Sequence, residues 1–329
     1  MEKAIFILNE KFHNIIYPAD IREAIRARVN IIETSYTSDT IQDNLPELND
    51  VTMIFSGWGC PRLDATFLDY APNLKAVFYG AGSVRNFVTP AFWERNIILS
   101  HAAALNAEPV AYFTFSQIIY GIKGGWHHVR FGETYQGNKH YFSGISGGTV
   151  GIISLGYIGR RMCQLLSQLD LKVLIHDPFA TVEDARALGG ELCDLDVLFS
   201  ESDVVSLHTP LLDETRNMID GRYFEQMKPN SVFINTARGA IINENAMISV
   251  LRNRPDIIAV LDVTYPEPPL PDSALRTLPN VVLTPHIAGA IGAGEIREFG
   301  VAMLAELNRY LDNQPLKWNL TYDKFIHMA

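Results

Sequence analysis

The amino-acid sequence predicts an α/β protein that contains two doubly wound parallel sheets. Short runs of continuously apolar residues recur along the chain, which is typical of strands buried on both faces of a parallel sheet. Segments with a helical spacing of apolar residues separate these runs, and this alternation favours parallel strand pairing. The length of 329 residues suggests two domains, since a domain has roughly 150 residues.

The predicted strands are short, at about three to six residues each. They are Ala4–Leu8, Val51–Ser56, Lys75–Tyr79, Thr149–Ser154, Lys172–His176, Val204–Leu207, Ser231–Asn235, Ile257–Leu261 and Val281–Leu283. After Gly156, apolar residues recur at helical spacing and predict a helix that faces a core. These residues are Ile158, Met162, Leu165, Leu166 and Leu169. The pattern also predicts a long apolar helix over Asn106–Lys123 and a final helix over Ala293–Leu311.

The domain division follows from where these patterns stop. Residues 124–148 are rich in Gly, His and Tyr and lack a strand pattern. Helical character returns after the last predicted strand. The most economical division has a first domain of residues 1–102 and a second domain of residues 103–292. We predict that residues 293–329 return to the first domain.

The overall charge excludes two classes of partner. Lys and Arg number 27 against 37 Asp and Glu, which gives a formal net charge of −10. A general nucleic-acid binder needs a basic surface that neutralises phosphates, and an anionic membrane surface also attracts basic segments. We therefore expect neither nucleic acid nor membrane as a partner. Apolar residues make up 47% of the chain and charged residues 19%, which indicates a globular protein.

The cysteines predict neither a disulfide framework nor a metal site. Cys60, Cys163 and Cys193 are odd in number and far apart. This usage fits a reducing cytoplasm. The apolar run Ala4–Leu8 is too short for a signal-peptide core, and no run approaches the length of a membrane span. The adjacent His127 and His128 point in different directions on a helix, so we expect no metal there either.

A glycine turn after the strand Thr149–Ser154 predicts a dinucleotide site. A helix follows the turn, which is the context that a G-x-G-x-x-G fingerprint requires. Gly156 would let the backbone approach a pyrophosphate at the helix N-terminus, and Gly159 would allow close packing of helix and strand. Ser154 occupies the first position, which is normally Gly. We expect its Cβ to be tolerated if the residue stays near β geometry.

The second half of this signature is Asp177, which follows the next strand about 20 residues after Gly156. Its carboxylate suits the hydroxyl groups of an adenosine ribose. Pro178, Phe179 and Ala180 follow, with no Arg or Lys to receive a 2′-phosphate. The pattern therefore favours NAD over NADP. The alternative is an ordinary glycine-rich turn followed by a surface Asp.

Chemically active residues follow the remaining strands of the second domain, at the edge where open α/β sheets bind ligands. They lie in the segments His208-Thr209-Pro210, Thr236-Ala237-Arg238-Gly239, Asp262 to Glu267, and His286 to Gly289. Arg238 offers a charged planar fork for a carboxylate or a carbonyl. His286 can move a proton, and Glu267 can orient its ring. Each residue alone is more often a surface charge, a loop residue or a turn cap; their joint placement points to a keto acid site.

Six segments, in this order, resemble the NAD-dependent D-isomer-specific 2-hydroxyacid dehydrogenase family. They are "TVGIISLGYIG", "HDP", "HTPLLDETRNMI", "INTARGAIINENAMI", "LDVTYPEPPL" and "NVVLTPHIAGA". The resemblance implies a Rossmann NAD-binding domain, a flavodoxin-like substrate domain and a cleft between them. It implies that Arg238, Glu267 and His286 are catalytic and that Asp262 holds the nicotinamide amide. It also implies a dimer formed through the cofactor domain, with residues 124–148 as a candidate arm.

The resemblance further implies a cofactor site and a substrate loop. The residues expected to line the cofactor are Gly156, Tyr157, Ile158, Gly159, Asp177, His208, Thr209, Pro210, Thr236, Ala237, Asp262, Ala288 and Gly289. "NLKAVFYGAGSVRNF" looks like the family's substrate loop, in which amides near Gly80, Ala81 and Gly82 meet the substrate carboxylate. Val84 and Tyr112 stand where an Asp and a Glu are frequent in the family.

Three further residues have two interpretations each. Trp58 and Tyr79 end predicted strands, and each is either a contact for an apolar substrate side chain or part of the core. Arg85 either reads a phosphate or second carboxylate of the substrate or is a solvated side chain.

Two functions compete with a general reductase of small 2-keto acids. One is a short-form phosphoglycerate dehydrogenase. The other is a non-enzymatic NAD-sensing binding protein of the same fold, which long appended tails or a broken catalytic trio would favour. Neither of those features is visible in the sequence.

Overall fold

The computed structural model describes residues 2–131 and 142–328 of the chain. The backbone divides into two compact units. The first unit comprises Met1–Asn106 and Ala290–Ala329, and the second comprises Ala107–Gly289. Each unit contains one parallel sheet together with helices, which confirms the predicted class of two parallel-sheet α/β domains.

The first unit contains a five-stranded parallel sheet. Its strands are β1 (Lys3–Ile7), β2 (Asn30–Ile31), β3 (Met53–Ser56), β4 (Ala76–Tyr79) and β5 (Ile98–His101). Their order across the sheet is β2-β1-β3-β4-β5, which is that of the flavodoxin-like doubly wound sheet. All residues of β3 and β4 are buried. Burial on both faces explains why β4 is apolar throughout and why β3 is apolar up to its last residue, Ser56.

The second unit contains a seven-stranded parallel sheet. Its strands are β6 (Gly148–Ile153), β7 (Leu171–His176), β8 (Glu191–Leu192), β9 (Val204–Leu207), β10 (Val232–Asn235), β11 (Ile258–Leu261) and β12 (Val281–Leu283). The order is β12-β11-β10-β9-β6-β7-β8, the Rossmann arrangement with one added strand. The strand order reverses between β6 and β9. Ligands of such sheets bind at the carboxyl ends of the strands beside this switch point.

The helices complete both units. In chain order they are α1 (Glu10–Ile16), α2 (Ala19–Arg26), α3 (Ala65–Tyr70), α4 (Pro90–Glu94), α5 (Ala103–Ile122), α6 (Gly125–Phe131), α7 (Tyr157–Leu166), α8 (Val182–Ala187), α9 (Leu195–Glu201), α10 (Gly221–Gln226), α11 (Glu244–Asn253), α12 (Ala293–Leu311) and α13 (Tyr322–Phe325). The predicted final helix has the bounds of α12. The predicted helix Asn106–Lys123 begins three residues earlier, as α5. Leu169 lies beyond the end of α7, so it is not part of the helical stripe.

Every predicted strand is present, with small shifts at the ends. Three further strands, β2, β5 and β8, were not predicted because they show no clear apolar run in the sequence. β2 and β8 are two-residue strands at the edges of their sheets and are too short to show a period. β5 ends on the polar residues Ser100 and His101, which interrupt its apolar run. Of the predicted arm, residues 132–141 lie outside the described residues. In residues 2–131 and 142–328, no helix has the length and apolarity needed to cross a bilayer.

Helix α12 packs against α1 through a glycine. A Cβ on Gly300 would lie 1.7 Å from the backbone oxygen of Ile16. Phe299 and Met303 of the same helix are buried in a cluster that includes Ile16 and Tyr17. The absence of a side chain at residue 300 therefore sets the distance between the two helices.

We expect Gly300→Ala to lower the free energy of unfolding by about 1–3 kcal/mol, because one helix must shift away from a backbone atom. Gly294→Ala in the first turn of α12 is the matched control. Apart from its chain neighbours and the nearby backbone of α12 itself, no heavy atom of the described chain lies within 4 Å of a Cβ at residue 294. The control should leave stability unchanged or raise it by up to about 1 kcal/mol. Urea denaturation measures both, and equal stability of the two variants would contradict the packing argument.

Candidate active site

The turn between β6 and α7 depends on a close backbone contact. A Cβ on Gly159 would lie 1.9 Å from the backbone oxygen of Ser154, so residue 159 must be glycine for the turn to close. Ser154 has a φ of 79°. The expectation that Ser154 stays near β geometry is therefore wrong, because the turn requires the left-handed region that glycine normally supplies.

Gly156 lies at the N-cap of α7 and has a different role. Apart from residue 156 and its two chain neighbours, no heavy atom of the described residues lies within 4 Å of where its Cβ would stand. The backbone there is open to a ligand, and the first amides of α7 face the same end of the helix. The neighbouring Tyr157 is exposed and Ile158 is half-buried at the start of α7.

Asp177 is bonded to this turn. Its Oδ2 accepts a hydrogen bond from the N–H of Leu155 at 2.7 Å, and its Oδ1 accepts one from the N–H of Phe179 at 2.8 Å. A carboxylate has about four acceptor positions, so two backbone donors leave capacity for ribose hydroxyls. The carboxylate thus both holds the glycine turn and presents acceptors beside it.

Two buried polar atoms at the end of β9 have no hydrogen-bond partner in the described part of the chain. They are Nδ1 of His208 and Oγ1 of Thr209. The other ring nitrogen of His208 lies 3.0 Å from Oγ of Ser206. Burial lowers the pKa of His208 to about 3, so the ring is neutral. Unpaired buried polar atoms are costly, and their position beside the switch point fits a polar ligand such as a dinucleotide.

The end of β10 is held by hydrogen bonds within the second unit. Oγ1 of Thr236 lies 3.1 Å from Oγ1 of Thr114 in α5. The N–H of Ala237 donates to Oδ1 of Asn235 at 2.9 Å. Pro210, after β9, is half-buried. The hydrogen bonds of Thr236 and Ala237 set the backbone from which Arg238 extends.

The loops that carry Arg238 and Glu267 pack closely against each other at Gly239. A Cβ on Gly239 would lie 2.0 Å from the carbonyl carbon of Thr264. Burial lowers the pKa of Arg238, and the nearby charge of Glu267 raises it; the guanidinium still stays protonated. One of its nitrogens, Nη1, donates to the backbone oxygen of Ala237 at 2.6 Å.

Glu267 and His286 form a direct pair. Oε1 of Glu267 lies 2.5 Å from Nδ1 of His286. The two side chains are 40% and 47% exposed, respectively, so Nε2 of the ring can meet a small molecule. His286 has a φ of 55°, an uncommon conformation for a residue with a side chain. The structure thus brings together all three residues of the predicted catalytic trio.

Asp262 maintains the conformation of the His286 loop. It is only 2% exposed. Its Oδ1 accepts from Oγ1 of Thr284 at 2.5 Å and from the N–H of Ile287 at 2.9 Å, and its Oδ2 accepts from the N–H of Ala288 at 2.8 Å. Its backbone oxygen accepts from the N–H of His286 at 3.0 Å. The family resemblance implies that Asp262 holds the nicotinamide amide. The contact of Asp262 with the 284–288 loop was not predicted.

The predicted substrate residues of the first unit differ in their surroundings. Trp58 packs against Phe12 and Phe299, with ring centroids 4.7 and 5.9 Å away. Tyr79 is only 4% exposed and packs against Phe87. This burial favours the core interpretation for Tyr79 over a substrate contact.

The backbone amides of the predicted substrate loop are not equivalent. The N–H of Gly80 donates to the backbone oxygen of Ser56 at 2.8 Å, and the N–H of Ala81 donates to the backbone oxygen of Tyr79 at 2.9 Å. For the N–H of the buried Gly82 we find no acceptor among the residues described. The amide nitrogen Nδ2 of Asn106 lies 3.4 Å from where a Cβ of Gly82 would stand. Asn106 was not predicted as a site residue; it was named only as the start of the predicted helix Asn106–Lys123.

The histidines rejected as metal ligands have structural contacts. Nε2 of His127 lies 2.9 Å from the backbone oxygen of Asp256, and His128 packs against Phe142. Within the described ranges, no group of three or more His, Cys, Asp or Glu side chains is arranged to hold a metal ion.

We expect Asp262→Asn to lower the free energy of unfolding by about 1–3 kcal/mol, because an amide group would face N–H donors that need an acceptor. Hydrogen exchange at the amides of Ile287 and Ala288 should accelerate. Asp272→Asn, at an exposed position, is the control and should change neither quantity. Wild-type exchange at both amides in Asp262→Asn would show that the carboxylate does not hold the loop.

Comparisons with known proteins identify the family that the second unit resembles. Residues 116–288 match the profile described as "D-isomer specific 2-hydroxyacid dehydrogenase, NAD binding domain". A glyoxylate reductase of Aeropyrum pernix is 31% identical over 256 residues, which cover 75% of this chain and 76% of that protein. A D-3-phosphoglycerate dehydrogenase of Archaeoglobus fulgidus is 33% identical over 231 residues, or 70% of this chain and 44% of the relative.

The fold has a similar counterpart among solved structures. The crystal structure of a glyoxylate reductase from Paecilomyes thermophila superimposes with a TM-score of 0.79 at 23% identity. The superposition covers 98% of this chain and 99% of that chain.

Proposed function

The chain belongs to the D-isomer specific 2-hydroxyacid dehydrogenase family, and we propose that it reduces a small 2-keto acid to the D-2-hydroxy acid. The family match confirms the predicted NAD cofactor and the class of NAD-dependent oxidoreductases that act on CH–OH groups. The observation that carries the finer proposal is the 2.5 Å contact between Nδ1 of His286 and Oε1 of Glu267. A carboxylate-oriented imidazole suits proton transfer to a carbonyl oxygen.

NADH would supply the hydride for reduction and NAD+ would accept it in the reverse direction, and residues of the second unit would hold the cofactor. Asp177 would accept hydrogen bonds from the adenosine ribose, and the open backbone at Gly156 would face the pyrophosphate. The unpaired atoms of His208 and Thr209 would hydrogen-bond to the same molecule. Ala288 and Gly289 would lie near the nicotinamide.

We assign proton transfer to Nε2 of His286. In the reductive direction the ring would donate its proton to the carbonyl oxygen of the substrate. In the reverse direction the neutral ring accepts the hydroxyl proton. Glu267 fixes the ring through Nδ1 and stabilises the imidazolium by its charge. Asp262 acts on the same ring indirectly, because it holds the loop from which His286 extends.

We assign the anionic and polar parts of the substrate to fixed donors. The guanidinium of Arg238 would bind the carboxylate or polarise the carbonyl, since it is charged and planar. In the first unit, the N–H of Gly82 and the side-chain amide of Asn106 are donors suited to a carboxylate. The N–H groups of Gly80 and Ala81 already have acceptors. Trp58 stays a proposed contact for the substrate side chain.

We also propose a cytoplasmic homodimer. Cys60, Cys163 and Cys193 are free thiols, which suits a reducing compartment. On α5 and α6, Tyr112, Tyr120, Val129 and Phe131 are exposed large apolar residues. Val129 and Phe131 belong to the proposed arm, and exposed apolar side chains of this kind suit burial against a second copy.

The direct test is a panel of 2-keto acids with NADH, followed by cofactor absorbance. The panel should include glyoxylate and keto acids with apolar, hydroxylated and phosphorylated side chains. We expect turnover of at least one of them. Preference for the phosphorylated acid would identify a phosphoglycerate dehydrogenase-like enzyme. NADH binding without turnover of any acid would support the NAD-sensing alternative and exclude the reductase.

We expect His286→Ala to lower kcat by about 10²–10⁴-fold, because the proton donor is lost. The affinity for NADH, measured by its fluorescence, should stay at the wild-type value. His128→Ala in α6 is the matched control and should keep wild-type turnover. Weaker NADH binding with unchanged kcat in His286→Ala would contradict the role given to the ring.

We expect Asp177→Ala to weaken NADH binding and to reduce the discrimination against NADPH, because a carboxylate repels a 2′-phosphate. Titration of both cofactors measures the ratio of their affinities. Glu183→Ala, at an exposed position of α8, should leave that ratio unchanged. The same ratio in Asp177→Ala as in the wild type would show that Asp177 does not bind the ribose.

A further inference from the structure

The chain after α12 is attached to β5 by a buried carboxylate. Glu306 of α12 is 0% exposed. It accepts hydrogen bonds from the N–H groups of Lys317 and Trp318 at 3.1 and 2.9 Å, and from Oγ of Ser100 at 2.9 Å. It also pairs with Arg309 at 2.9 Å. Because Ser100 lies in β5, one carboxylate connects the helix, the strand and the following segment.

That segment, residues 317–328, runs along the open side of β5. We call it the C-terminal segment. The N–H of Leu320 donates to the backbone oxygen of Leu99 at 2.8 Å, and the N–H of His101 donates to that of Trp318 at 3.2 Å. Ser100 and Asn319 form an antiparallel bridge. β5 is the edge strand of its sheet, so these bonds fix the segment on backbone groups that would otherwise be unpaired.

The segment then reaches Arg85, which lies in the loop after β4. Residues 80–87 are the part of the predicted substrate loop that follows β4, and we call this part the substrate loop from here on. Nε of Arg85 donates to the backbone oxygen of Met328 at 2.8 Å. Its Nη2 donates to those of Phe325 and Ile326 at 2.6 and 2.9 Å. Its guanidinium lies 4.6 Å from the ring centroid of Phe325.

Arg85 is therefore a structural contact of the loop and not a solvated side chain, and these donors do not serve a substrate phosphate. Phe325 and Met328 pack against the cluster that includes Ala81, Val84 and Phe87 of the substrate loop. The loop is thus held on its apolar side by the two side chains and at Arg85 by three carbonyl groups.

We propose that Arg85 is a positioning residue that uses the C-terminal segment to fix the substrate loop, and with it the N–H of Gly82, for the substrate carboxylate. The inference rests on the proposed reductase activity. A planar guanidinium can bond three carbonyl groups from fixed directions, which a lysine ammonium at the same place cannot do. A loop held in advance loses less entropy when it binds the substrate, so the contact should act on substrate affinity.

The test compares Arg85→Met, which keeps the apolar stem and removes the donors, with Arg85→Lys, which keeps the charge. Arg26→Met, at a surface pair with Glu33, is the matched control. We expect Arg85→Met to raise KM for the best 2-keto acid by about tenfold, with kcat within about twofold and unchanged NADH affinity. Arg85→Lys should lie between Arg85→Met and the wild type, and Arg26→Met should match the wild type.

Hydrogen exchange provides a readout that does not depend on activity. In Arg85→Met, the amides of the C-terminal segment and those of the substrate loop should both exchange faster. Faster exchange of the C-terminal segment alone, with wild-type exchange in the loop and wild-type KM, would overturn the proposal. If the wild type reduces no 2-keto acid, the proposed function fails, and exchange in the loop still decides whether Arg85 fixes it. If Arg85→Met does not fold, Arg85→Lys decides by the same two measurements.

Discussion

The buried carboxylate of Asp262 is the contact on which the candidate active site depends. It lies one residue beyond β11, and Thr284 lies one residue beyond β12. These strands are paired in parallel with Leu261 opposite Leu283, so the register places the two strand ends side by side. Three donors of the 284–288 loop then reach one carboxylate. Through this contact His286 keeps an uncommon backbone conformation and stays within reach of Glu267.

Much of this arrangement was predictable, because burial and parallel pairing leave direct marks on the sequence. β11 and β12 are continuously apolar, and the residues that follow parallel strands must meet at one edge of the sheet. That geometry alone brings Arg238, Glu267 and His286 into one neighbourhood. The two-residue strands β2 and β8 left no such mark, because a period cannot be recognised in two residues.

The details that were not predictable depend on backbone conformation and on competition for hydrogen bonds. Ser154 has a left-handed φ although its residue type favours other regions, because the turn around Gly159 imposes it. Gly80, Ala81 and Gly82 follow one another in sequence. The N–H groups of Gly80 and Ala81 have acceptors, whereas that of Gly82 has none among the described residues. The donors of Arg85 bond to residues more than 200 positions away, a separation that no local pattern reports.

The bond from Leu155 to Asp177 limits how the cofactor preference of this protein can be re-engineered. Replacement of an acidic residue after the second strand is the obvious route to a 2′-phosphate. Here the same carboxylate accepts the N–H of Leu155 at 2.7 Å, inside the glycine turn. A designer who removes the charge also removes an acceptor from the loop that we propose receives the pyrophosphate. A successful redesign would have to supply Leu155 with a neutral acceptor, and to place the new cation on Phe179 or Ala180 instead.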